Sequence, residues 1–88
     1  MVFDHELKIW PVHYRQVISG NKKFEIRDNS DRCFQKGDIV KLLEYDNDLY
    51  DAPPNKRYTG NWCIVKIIYV TNAYQKDNYV VFGFEPID

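Results

Sequence analysis

What most constrains this chain is a pair of strand-like runs joined by a link too short to contain a helix. Trp62–Thr71 carries Ile64, Val65, Ile67, Ile68 and Val70, and Tyr79–Phe84 is similarly β-branched and aromatic. Such residues favour the pleated, half-buried surface of a strand. The seven residues Asn72–Asn78 fall short of the dozen or so that a parallel crossover needs, so the two runs are expected to pair antiparallel. With 88 residues there is room for one hydrophobic core, and the rest of the chain must add to this sheet. A single domain over residues 1–88 is the expected organisation.

Upstream, Glu6-Leu7-Lys8-Ile9 alternates polar and apolar residues, which predicts a strand with Leu7 and Ile9 inward. Pro11 is suited to a first helical turn, and Tyr14, Val17 and Ile18 form an i, i+3, i+4 stripe, so a helix is predicted over about 11–19. Gly20 stands where a left-handed C-cap belongs. A strand follows over residues 24–28, with Phe24 and Ile26 expected on the core face and Glu25 and Arg27 on the opposite surface. A one-residue slip would bury the charges, and burial of an unpaired carboxylate or guanidinium argues against it. Asp28–Arg32 reads as a polar loop, with Phe34 as its anchor to the core and Lys36-Gly37-Asp38 as a turn. Ile39–Tyr45, aliphatic on both faces, reads as a central strand. Asp46–Asn61, with Pro53-Pro54 and Gly60, reads as a mobile loop or irregular hairpin. The fold class is therefore α+β: a small barrel or half-barrel of about five mainly antiparallel strands with one principal helix.

The formal net charge is −1, which provides no global field for nucleic acid, so any anion site must be local. Cys33 and Cys63 are far apart, with no C-x-x-C and no metal-ligand spacing to His5 or His13, so neither a metal nor a cofactor is expected. Both thiols are expected to be free and buried as small hydrophobes. No apolar run approaches the ~20 residues of a membrane helix. Met1-Val2-Phe3 leads straight into Asp4-His5-Glu6, unlike a secretory leader, so a cytoplasmic location is expected. The assembly is taken as a monomer.

The candidate chemistry lies in Lys22-x-x-Glu25-x-Arg27. Two cations flanking a carboxylate suit a phosphate or a base edge, whereas the simplest alternative is a solvated ion pair. His5, from the first strand, is placed within reach of Glu25, with a core-edge histidine as its alternative. His13 reads as a solvated residue at the helix start. Trp10 reads as a lid on the helix start or a stacking platform. Tyr45, Tyr50 and Tyr58 around the long loop are either packing residues or base-stacking aromatics. Lys56-Arg57 either rims the same cleft or keeps the loop soluble.

These residues resemble the ASCH domains of the PUA-like superfamily. More narrowly, the chain looks like the small stand-alone ASCH-like proteins of bacteria and phages that are grouped as a domain of unknown function. The resemblance begins at His5-Glu6-Leu7-Lys8-Ile9-Trp10-Pro11 and runs through Gly20-x-Lys22-x-x-Glu25-x-Arg27, which has the G-x-K-x-x-E-x-R signature. It continues in Asp31-Arg32-x-Phe34-x-x-Gly37-Asp38, Glu44-Tyr45-Asp46 and Tyr79-Val80-Val81-Phe82-Gly83, and so spans nearly the whole chain. It implies a PUA-like β-barrel with a helix beside a cleft that binds RNA or a nucleotide-like ligand. Lys22 would meet an anionic or polar ligand group, Glu25 would accept hydrogen bonds, and Arg27 would clamp phosphate or orient Glu25. His5 and Lys8 would join them from the first strand.

The leading expectation is an RNA- or nucleotide-binding module with ligand-binding residues His5, Lys8, Lys22, Glu25 and Arg27, and with no catalytic residue. The alternative is a small hydrolase acting on a modified nucleoside or RNA, an amidohydrolase or ribonuclease, with Lys22 and Glu25 as an acid–base pair. Related amidohydrolases that deacetylate N4-acetylcytidine have a similar loop and use a Lys with a Thr nucleophile. Here Lys22 matches the Lys, but Glu25 stands at the nucleophile position, where a carboxylate cannot be activated as a hydroxyl is. A third reading is a protein-interaction domain.

Overall fold

A computed structural model describes residues 2–87. Five strands and one helix follow the alternations of the sequence: β1 (His5–Ile9), α1 (Pro11–Ile18), β2 (Phe24–Asp28), β3 (Ile39–Tyr45), β4 (Tyr58–Thr71) and β5 (Tyr79–Ile87). A 3-10 turn, Pro54–Lys56, precedes β4. The sheet order is β1-β3-β4-β5-β2, and it curls into a half-barrel. The pairs β3–β4, β4–β5 and β5–β2 are antiparallel, the second as the short Asn72–Asn78 link requires. Among the described residues only β1 and β3 run parallel, because the chain passes through α1, β2 and a loop before returning beside β1.

Register shifts between Leu43 and Tyr45 and between Ile67 and Tyr69 bend the long strands. The second also switches the inward positions of β4: Cys63, Val65 and Ile67 pack inward before it, and Val70 after it. The core is formed by Leu7 and Ile9 of β1, Val40 and Leu42 of β3, Val65 and Ile67 of β4, and Val80, Phe82 and Phe84 of β5. Val17 of α1 and Phe34 of the 29–38 loop complete it. Phe34 plugs the loop into the core against Phe82, with ring centroids 4.9 Å apart. Pro11 opens α1, and the helix ends at Ser19, followed by Gly20 at φ +82°. That left-handed conformation is open to glycine at little cost.

Several expectations are corrected. Ile18 is 58 % exposed, so the buried stripe of α1 narrows to Val17, with Tyr14 packed beside it. The loop 46–57 ends earlier than expected, since Tyr58–Asn61 already belong to β4. Arg57 fastens it by donating Nε to the Ala52 carbonyl (2.9 Å) and Nη2 to the Tyr50 carbonyl (3.0 Å). Cys33 is exposed, not buried.

The largest correction concerns β2. Its burial alternates the other way: Glu25 is buried, whereas Phe24 and Ile26 are 47 % and 51 % exposed. Directly paired residues of an antiparallel ladder share a face, and Glu25 and Arg27 lie opposite Phe82 and Val80, which point into the core. The cost of burying unpaired charge does not arise, because Glu25 is paired with Lys22 and Arg27 at 3.2 Å each.

No helix among the described residues is long and apolar enough to cross a membrane.

Candidate functional site

The two edge strands of the half-barrel, β1 and β2, are not joined by a ladder among the described residues. A side chain crosses this seam instead. Arg27 Nη2 donates to the Lys8 carbonyl of β1 at 2.7 Å, while its Nε donates to Glu25 Oε2 at 3.2 Å. The planar guanidinium fork can serve two acceptors in fixed geometry, which an ammonium does less well. On the other side of Glu25, Lys22 Nζ lies 3.2 Å from Oε1. Lys22 is placed by the end of α1, where its backbone N–H and that of Asn21 both donate to the Gln16 carbonyl at 3.0 Å. A helix stop, a turn and a strand thus bring three charges of an eight-residue signature into one cluster.

The Glu25 carboxylate is unevenly satisfied. Oε2 accepts from Arg27, but Oε1 is buried and accepts no hydrogen bond. Lys22 neutralises it at ion-pair distance, 3.2 Å. The other buried glutamate differs. Glu44 Oε1 accepts from Thr59 Oγ1 at 2.7 Å and from Asn61 Nδ2 at 3.1 Å, so its role is to tie β3 to β4. Buried polar atoms are normally paired. Glu25 Oε1 has the Lys22 ammonium at ion-pair distance in place of such a partner.

A pocket of about 510 Å3 opens over this cluster. Lys8, Lys22, Glu25 and Arg27 provide its polar lining, and Ile9, Trp10, Phe24 and Ile26 its apolar lining, with His13 beside Trp10. The residue before a proline is held extended, and Trp10 before Pro11 accordingly has φ −66° and ψ 150°. Trp10 is 53 % exposed, and its ring lies over that of His13 with centroids 6.3 Å apart and an interplanar angle of 23°.

Of the residues predicted for the site, the structure brings Lys8, Lys22, Glu25 and Arg27 together and leaves His5 out. His5 is buried, packs on Phe34, and pairs through Nε2 with Asp38 Oδ2 at 2.8 Å. It holds the 35–38 turn against β1, which matches the core-edge alternative. Lys56 and Arg57 lie at the long loop and line neither this pocket nor its neighbour. The pocket lining that sequence reasoning missed is apolar: Phe24 and Ile26, assigned to the core, form part of the rim. The signal was present in the alternation itself but fitted either face equally well. Among the described residues, no group of three or more His, Cys, Asp or Glu is placed to hold a metal ion.

Burial raises the pKa of two groups near the core. The Cys63 thiol is pushed up to about 11, and Tyr14 is raised by burial first and then by the charges of Cys63 and Glu44. Asp28, at the end of β2, is lowered by hydrogen bonds from the Ser30 hydroxyl and backbone N–H.

The model of a family described as "Domain of unknown function (DUF3850)" matches residues 4–84 and so includes every residue of the pocket. The chain belongs to this family. No curated protein matches it. Within this DUF3850 domain the matched region runs from just before β1 into β5, so the seam is part of the shared domain.

Proposed function

We propose that the seam pocket binds a nucleotide or an unpaired RNA base. The observation that carries this reading is the Lys22–Glu25–Arg27 charge cluster lining one pocket with the exposed Trp10. A nucleobase presents an aromatic face and, on its edge, amino or imino donors. The face stacks on an indole, and the donors suit a carboxylate. Lys22 and Arg27 balance the carboxylate and remain available to the ligand's carbonyl or phosphate oxygens. The resemblance to ASCH domains of the PUA-like superfamily, through Gly20-x-Lys22-x-x-Glu25-x-Arg27, supports the same reading and a cleft in the same region of the fold. With a net charge of −1, binding rests on a few local contacts, so the salt dependence is expected to be shallow.

The test is a titration of labelled single-stranded RNA and of ribonucleotides at low and moderate salt. Wild type is compared with Glu25→Gln and with the double variant Lys22→Ala, Arg27→Ala. Loss of about tenfold or more in affinity is expected for the double variant, as for removal of charge-assisted contacts. Equal binding by wild type and both variants overturns the assignment.

A second reading, hydrolysis of a modified nucleoside or RNA, is favoured by one feature: the Lys22 ammonium and Glu25 carboxylate stand 3.2 Å apart in an open pocket. That places a polarising cation beside a potential base. Turnover of acetylated cytidine or RNA that disappears in Glu25→Gln would favour hydrolysis over binding alone; turnover that survives the change excludes Glu25 as the base.

A further inference from the structure

Beyond the Arg27–Lys8 bridge lies a second concavity of about 400 Å3. Arg27 and Lys8 line both concavities, and the second adds Arg32, Tyr58 and the carboxylate of Glu6. Four cations (Lys8, Lys22, Arg27, Arg32) therefore face two carboxylates (Glu6, Glu25) along the seam, a local excess of positive charge in a chain of net charge −1. Each concavity also has a partly exposed aromatic ring: Trp10 in the first and Tyr58, 41 % exposed, in the second. Tyr58 is braced edge-on by Tyr45 at 5.0 Å, and the Lys8 ammonium lies 4.8 Å from the centre of the Tyr45 ring. Arg32 is carried by a loop pinned on either side. Asn29 N–H donates to the Asn78 carbonyl, and Phe34 N–H donates to Asn29 Oδ1 at 2.8 Å. Of the five N–H donors of Arg27, the Glu25 and Lys8 contacts use two, so the others remain for an anion at the junction.

Aromatic ring, cations, aromatic ring is the order in which a single strand presents base, phosphate, base. We propose that the seam takes two phosphodiester-linked nucleotides. One base lies in the Trp10–Glu25 pocket, the linking phosphate meets Arg27 and Lys8, and the second nucleotide lies against Arg32 and Tyr58. This rests on the nucleotide reading of the first pocket and extends it from a mononucleotide site to a site for a strand.

The test is an NMR titration of the full chain with the four ribonucleoside 5′-monophosphates and with ribo- and deoxyribodinucleoside monophosphates. The dinucleotide probes have one phosphate, as the monophosphates do, so any gain comes from the second nucleotide and from bridging. Binding about tenfold tighter than that of the monophosphates is expected for at least one sugar type, consistent with one added stacking contact. Shifts are expected at Arg32 and Tyr58 as well as at the Trp10 indole. Arg32→Ala and Tyr58→Leu, made separately, should each bring the dinucleotide toward the affinity of the monophosphate. Equal affinity for the two probe classes, or dinucleotide shifts confined to the Trp10 side, overturns the second subsite while leaving the first pocket's reading in place. No shift at Trp10, Lys22 or Glu25 with any probe overturns both.

Discussion

Arg27 joins two parts of the structure with one side chain. It neutralises a buried carboxylate and hydrogen-bonds a backbone carbonyl on the strand across the seam. Lys22 does only the first, at the end of a flexible chain. Removing one partner of a buried ion pair costs more than the pair itself contributes, because an uncompensated charge is left behind. Arg27→Ala is therefore expected to destabilise the fold by about 2–3 kcal/mol and Lys22→Ala by about 1 kcal/mol. Urea unfolding midpoints measure both, and an Arg27→Ala cost equal to or below that of Lys22→Ala would show that the cross-seam bond contributes little. The thiols give a second check. Cys63, with its pKa pushed up to about 11 by burial, stays protonated at pH 8, whereas Cys33 is exposed. A thiol-reactive disulfide reagent at pH 8 should modify Cys33 promptly and Cys63 only on unfolding. The sign of the linkage follows: a folded pKa above the unfolded value of 9.0 adds stability below pH 9, and that stability is lost as the pH rises through about 11.

At the scale of the element, β2 has its charged residues inward and its apolar residues outward. Pairing with β5 sets that register, through Glu25 opposite Phe82 and Arg27 opposite Val80. An ordinary edge strand would do the reverse. β2 can do this because its inner face borders the seam, where Glu25 is neutralised by Lys22 and Arg27 and Arg27 reaches the Lys8 carbonyl. The consequence is testable by substitution. Ile26→Thr should cost less than about 1 kcal/mol, since the side chain is half exposed, while Phe82→Ala on the adjoining strand should cost about 3–5 kcal/mol. Thermal or chemical denaturation distinguishes them, and a cost for Ile26→Thr approaching that of Phe82→Ala would mean that Ile26 faces the core.

Across the whole molecule, an ordered layer and an open edge coexist. β3, β4 and β5 are each flanked by two strands, and Val40, Leu42, Val65, Ile67 and Phe82 have essentially no exposure. β1 and β2 are held by a ladder on one side only, and the pocket lies between them. Local opening is easiest where backbone pairing is one-sided and burial is low. Amide hydrogen exchange is expected to be slowest in the β3–β4 ladder and faster in β2. A ligand of the seam should slow β2 most, because it joins the two edges. Protection of β2 equal to that of β4 without ligand would indicate that the seam is closed in solution.

Much of this was legible in the sequence because it depends on local chemistry. Periodicity placed the strands, Pro11 and Gly20 bounded the helix, and the length of Asn72–Asn78 required the antiparallel β4–β5 pair. The proximity of Lys22 and Arg27 to Glu25 was legible for the same reason, since all three belong to one short segment. Which face of β2 points inward was not. A period of two divides residues into two sets without saying which is buried, and that was decided by pairing with β5 and, among the described residues, by the absence of a strand between β1 and β2. The same holds for His5, drawn to Asp38 thirty-three positions away. It holds too for Arg32 and Tyr58, distant in sequence and brought to one concavity by the curl of the sheet. Side-chain spacing is a property of the segment, whereas burial and company are properties of what the segment packs against.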